Sequence, residues 1–110
     1  MLGRKIVSDG AGNPWLLNNF AWRILLGTKL EKHDVELAFQ ASKSACASTE
    51  WQRPTFLDTH ALALFSQGEV TEAIRVEKQA IAFCTNETLR VRLEQSLKTF
   101  EVGRTNNPGR

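Results

Sequence analysis

The stretch LDTHALALFSQGEVTEAIRVEKQAIA, residues 57–82, decides the fold. Leu57, Ala61, Leu64 and Phe65 fall three and four residues apart, which places them on one face of a helix. Gly68 interrupts that face, as the left-handed residue that closes a helix commonly does. Val70, Ala73, Ile74, Ala80 and Ile81 then restart the same period. The reading is a helix from about Pro54 to Gln67, a tight turn, and a second helix through Phe83.

The pattern occurs once before. LNNFAWRILL from Leu17 lies over LDTHALALFS from Leu57, matching Leu17 with Leu57, Asn18 with Asp58, Ala21 with Ala61 and Ile24 with Leu64. DVELAFQASKSACA from Asp34 lies over EVTEAIRVEKQAIA from Glu69, matching Val35 with Val70, Ala38 with Ala73, Ser42 with Glu77 and Ala45 with Ala80. The first helices are offset by 40 residues and the second by 35, so the earlier unit carries five extra residues in its turn, around Thr28 to His33. Asn13-Pro14 is a start signal for the first helix. Gly27-Thr28 ends it, and Asp34 is the expected cap of the second. Small residues at Ala21, Ala38, Ala61 and Ala73 let two antiparallel helices approach closely, with Leu17, Ile24, Leu57 and Leu64 filling the space beside them.

A fifth helix is expected from about Glu87 to Val102, with Leu89, Leu93, Leu97 and Phe100 in a narrow stripe. The expected organisation is a lead-in over 1–12, a helical domain over 13–102 (units 13–48 and 54–84, last helix 87–102) and a mobile tail over 103–110. Nothing reads as a strand, so the fold class expected is all-α.

Composition sets outer bounds. With 110 residues, 42% hydrophobic and 24% charged, the chain matches an ordinary globular domain. A net charge of +2 without a basic run gives no phosphate-tracking surface, and no nucleic-acid partner is expected. No segment approaches the ~18 apolar residues of a membrane span. MLGRKIVSDG lacks the apolar core of a secretory signal, so the expected setting is cytoplasmic. Cys46 and Cys84 lie too far apart for a CxxC motif and read as small buried residues. His33 and His60 do not complete a ligand set with them, so no metal, no cofactor and no catalytic group is expected. Glu69, Glu72 and Glu77 near Lys78 read as a solvated face with local ion pairs. Arg90, Arg92 and Lys98 alternate with Glu87, Glu94 and Glu101 in the same manner.

Leu57, Ala61, Leu64, Gly68, Val70, Ala73 and Ala80, with Leu17, Ala21, Ile24, Ala38 and Ala45 before them, resemble the signature of a tetratricopeptide repeat. The resemblance covers roughly residues 14–84. It departs from the family at Ser42 and Glu77, where an aromatic is common, and at His60, where Leu is usual. It implies a right-handed α-solenoid fragment of two helix-turn-helix pairs with a capping helix. It also implies a non-catalytic interaction module that binds a peptide or a partner helix along the concave face of the first helices. On that face the sequence puts Trp15, Asn18, Trp22 and Leu25 of the first unit and Asp58, Leu62 and Phe65 of the second. Trp suits an interface anchor. Trp15 and Trp22 either line that groove or pack on the last helix through Leu93, Leu97 or Phe100. Two repeats are close to the minimum for a stable array, so self-association into a dimer is a second expectation. A narrower resemblance is to the helical C-terminal tails of some bacterial thioredoxin-like proteins. It implies an accessory domain of a redox enzyme.

Overall fold

Helix boundaries follow from capping chemistry. A computed structural model of the chain describes residues 13–27 and 29–106; the lead-in over 1–12 and the end of the tail lie outside them. Five helices follow one another: α1 (Pro14–Leu25), α2 (Lys32–Ser48), α3 (Pro54–Ser66), α4 (Val70–Phe83) and α5 (Glu87–Asn106), with no strand among the described residues. The all-α expectation therefore holds.

Asn13 caps α1 as its sequence predicts, its Oδ1 accepting from the Leu16 N–H at 3.1 Å, with Pro14 in the first turn. The start of α2 differs from expectation. Glu31 is the N-cap, and Asp34 sits one turn in, its carboxylate accepting from the Glu31 N–H at 3.3 Å. An acidic residue serves the exposed N–H groups from either place, so residue type alone does not fix the boundary.

Gly68 closes α3 in the left-handed region, φ 87°. The Glu69 N–H donates to the Leu64 carbonyl at 2.9 Å, and the Gly68 N–H to the Phe65 carbonyl at 3.0 Å. This pair of bonds satisfies carbonyls that the helix leaves open. The end of α2 has the same pair without a glycine: Trp51 N–H to the Cys46 carbonyl at 2.8 Å and Glu50 N–H to the Ala47 carbonyl at 3.3 Å. Glu50 and Trp51 lie there at φ 61° and 58°. Gln79 of α4 holds the strained turn by donating to the Trp51 carbonyl at 2.9 Å.

Each helix packs on the next: α1 on α2, α2 on α3, α3 on α4 and α4 on α5. Along one side α3 also meets α1 and, more lightly, α5. Ala21, Ala38, Ala61, Ala73, Ala45 and Ala80 are all fully buried, the environment the close-approach argument requires. Asn86 caps α5 by accepting from the Leu89 N–H at 2.9 Å. The Arg90 guanidinium reaches back to the open end of α4 and donates to the Cys84 carbonyl at 2.7 Å.

Helix α5 runs four residues past its expected end, into what the sequence reads as tail. Phe65 of α3 stacks on Phe100 with ring centroids 4.8 Å apart, and Gly103 lies against the same ring. A Cβ at Gly103 would stand 2.6 Å from Phe65 Cε1, so glycine is the residue that lets this last turn dock.

Candidate functional site

The two helical pairs carry buried polar side chains at matching places. Asn18 and Asp58 are equivalent in the repeat and are 5% and 4% exposed. Ser42 and Glu77 are equivalent and are both fully buried. A buried polar group needs a partner, and the two pairs solve the problem differently.

In the second pair the carboxyls of Asp58 and Glu77 face each other. No N–H or O–H donor among the described residues reaches either Glu77 oxygen. The hydrogen between the two groups must therefore be one of their own. Burial, with the Asp58 charge beside it, holds Glu77 protonated far above the ordinary carboxyl range. Burial also raises Asp58, while Glu77, Arg92 and Ser96 pull it back down. Of the two groups, Glu77 is the one that burial and its neighbour hold protonated, and Arg92 and Ser96 favour charge on Asp58. Arg92 Nη2 of α5 stands 4.0 Å from Asp58 Oδ2. Glu77 is not on the solvated face that its charged neighbours suggest. The spacing Ala73, Glu77, Ala80 puts it in the buried stripe, and that signal was readable.

In the first pair Ser42 does not turn to Asn18. Its hydroxyl donates to the Phe39 carbonyl at 3.0 Å and lies 2.9 Å from His60 Nδ1 of α3. The tautomer of the imidazole ring sets which of Ser42 and His60 donates in that contact. Ser42 is fully buried. The contact joins the two pairs. Trp51 stands edge-on to His60 at 5.4 Å and Phe39 lies at 5.2 Å.

Burial pulls His60 down to about 4, with Lys43 and Arg75 acting in the same direction and Glu72 against them. The unfolded chain takes up this proton near pH 6.5 and the folded chain only near 4, so stability is complete above 6.5 and falls as pH drops to about 4. The difference corresponds to about 3 kcal/mol. The His60 ring should stay neutral down to about pH 4 in a ring-carbon NMR titration; protonation near pH 6.5 in the folded chain would contradict the packing described.

Ser42's engagement leaves Asn18 over. No hydrogen-bond partner among the described residues reaches its buried Oδ1. Asn18 lines a hollow of about 210 Å³ with Trp15, Asn19 and Trp22 of α1, Thr55 and Thr59 of α3, and Arg92 of α5. Trp15, Asn18 and Trp22 share one face of α1 by their spacing of three and four. Trp15 is 54% exposed and meets Phe56 edge-on at 4.7 Å; it does not pack on the last helix through Phe100, which Phe65 occupies instead. Trp22 is half-buried.

Of the seven residues placed on an exposed face by sequence, Trp15, Asn18 and Trp22 come together around this hollow. Leu25 is buried in the core instead, because α1 turns that side towards its neighbours. Asp58 is buried beneath Arg92. Leu62 and Phe65 are half-buried against the core, and α5 covers the Phe65 ring. Thr55, Thr59 and Arg92 were missed, Arg92 because its charge alternates with Glu residues in the sequence.

Cys46 and Cys84 are buried and not joined to each other, and burial pushes the Cys46 thiol up to about 12. Among the described residues no group of three His, Cys, Asp or Glu could hold a metal ion. No helix among them is long and apolar enough to cross a membrane. No family model, curated protein or solved structure matches the chain.

Proposed function

We propose that the protein is a non-catalytic interaction module whose two tetratricopeptide-like helical pairs hold a peptide or partner helix on the side where α1, α3 and α5 meet. One observation carries this reading: Trp15, Asn18 and Trp22 of α1 and Arg92 of α5 line one hollow from helices far apart in sequence. Aromatic side chains around a few fixed polar groups are the usual composition of a recognition pocket. The repeat supplies rigid positions for them, and α5 closes the apolar end of the second pair. The Ser42–His60 contact and the Asp58–Glu77 pair support the scaffold.

Selection from a displayed peptide library tests the proposal. The wild-type chain should enrich peptides whose affinity falls about thirtyfold in Trp22→Ala, the loss typical of an anchor residue. Trp22 is half-buried, so circular dichroism should report the same helix content in the variant. Enriched peptides indifferent to Trp22, or no enrichment at all, would refute this site.

A further inference from the structure

We infer that the open face of α1, centred on Asn19 and Phe20, is the contact through which two copies of this chain pair. Leu16, Phe20 and Arg23 of this face do not line the hollow described above, so the dimer does not depend on the peptide-binding reading.

The internal repeat identifies this face. In α3, Phe56, Thr59, His60 and Ala63 form one stripe by their helical spacing. All four are buried, and the stripe packs on the preceding pair: Phe56 against Trp15 of α1, His60 against Phe39 and Ser42 of α2. Forty residues earlier the same stripe reads Leu16, Asn19, Phe20 and Arg23. No helical pair precedes it among the described residues, where α1 meets only α2 and α3. Leu16 is therefore 45% exposed, Asn19 and Arg23 are exposed, and Phe20 is only half-buried. Together they border an open hollow of about 530 Å³. Leu26, 60% exposed, continues the stripe one turn further. Helix α1 thus presents a surface that the fold elsewhere covers with a helical pair.

The occupant follows from the other end of the stack. There α5 covers the second pair, and its outer side is polar: Glu94, Gln95 and Lys98 stand between the exposed Val91 and Val102. Each chain thus has one adhesive end. Two such ends satisfy each other about a two-fold axis, and that contact closes at two copies. The charges suit it. Arg23 is the only charged residue of α1. With the two helices antiparallel about Asn19 and Phe20, each Arg23 lies beside the partner's Leu16. The two guanidinium groups then stand about 10 Å apart along the helices, where salt screens them. The product is one stack of four helical pairs with α5 at both ends, which supplies the neighbour that a two-pair array lacks. With 12 residues, α1 is about 18 Å long. The contact is therefore smaller than the ~800 Å² per partner of a standard interface, and the dimer is weak.

Sedimentation equilibrium of the intact chain tests this. Between about 1 µM and about 1 mM the chain should pass from monomer to dimer, with no larger species. Leu16→Asp sets a charge in the stripe and should weaken dimerisation at least about thirtyfold. Val91→Asp, on the outer side of α5, should leave it unchanged. Asn19→Cys should form a disulfide-linked dimer on mild oxidation, because the two-fold axis brings that position close to its own copy, while Cys46 and Cys84 are buried. Val91→Cys should link far more slowly. All these positions are exposed, so circular dichroism should report wild-type helix content in each variant.

A monomer throughout, which would leave the face to a helix of another protein, would overturn the assignment. So would species larger than a dimer, a dimer indifferent to Leu16→Asp, or Asn19→Cys linking no faster than Val91→Cys. Library peptides that still depend on Trp22 would leave the module reading intact after any of these failures.

Discussion

Glu77→Gln should make the protein more stable at neutral pH and remove its loss of stability between neutral pH and about 9. Holding a carboxyl protonated at pH 7, when its ordinary value is 4.5, costs the fold about 3 kcal/mol. A glutamine of the same shape is neutral at every pH and can donate an N–H to Asp58. One amide hydrogen is left without a partner, which offsets part of the gain, so about 1–2 kcal/mol should remain at pH 7.

The pH profile is the more telling measurement. Glu77 is raised in the folded chain, so its contribution is complete below 4.5 and is lost as pH rises above it, at about 1.4 kcal/mol per pH unit. His60 is lowered, so its contribution falls in the opposite direction, between 6.5 and about 4. Between about 4.5 and 6.5 the two slopes cancel. The wild type should show a plateau there and a decline above it. In Glu77→Gln the plateau becomes a rise from about 4 to 6.5 and the decline below about pH 9 disappears, while the raised Cys46 thiol still costs stability above 9. Urea denaturation at half-unit pH steps reads both curves; an unchanged decline between about pH 7 and 9 would mean that Glu77 does not carry the shared proton. Arg92 and Ser96 on α5 are the polar groups facing this pair, and both remain in the variant together with Asp58.

Phe100→Ala should cost about 3–5 kcal/mol, the usual penalty for emptying a buried aromatic site. For a chain of this length that is a fall of about 15–30 °C in melting temperature. The loss should be uneven. Phe100 holds α5 to the Phe65 ring of α3, and the contact between α3 and α5 is light elsewhere. Amide exchange should therefore accelerate most from Leu97 to Arg104, while α2 keeps its protection. Phe100→Leu keeps most of the volume and should cost less than half as much. A uniform loss of protection across all helices would show that α5 does not yield first.

Much of this was legible in the residues. The steps of three and four gave every helix, and the alignment of Leu17 with Leu57 and of Val35 with Val70 gave the pairing and the longer turn. Asn13-Pro14 and Gly68 marked ends because each has a conformational reason to stand where it does. Asp34 misled, since a carboxylate one turn inside a helix does the same work as one at the cap. The last turn of α5 was hidden because its stability comes from Gly103 docking under Phe65, a contact between residues 38 apart.

The site was legible only in part. Spacing puts Trp15, Asn18 and Trp22 on one side of α1, and they line one hollow, although Asn18 is as buried as Asp58. Leu25 and Asp58 were placed outside because periodicity orders residues around a helix without saying how many neighbours cover it. Glu77 was misread through its charge, although its spacing from Ala73 and Ala80 put it inside. Arg92 could not be found from sequence, because only the tertiary packing brings α5 beside α1 and α3.

The three tryptophans also divide the molecule optically. The chain contains no tyrosine, so its ultraviolet emission comes from indoles, and these sit in two distinct settings. Trp51 rests against the neutral ring of His60 at the join between the pairs, while Trp15 and Trp22 face the open hollow. Single-tryptophan versions of the chain would therefore report separately on the integrity of the scaffold and on occupancy of the site, without any attached dye.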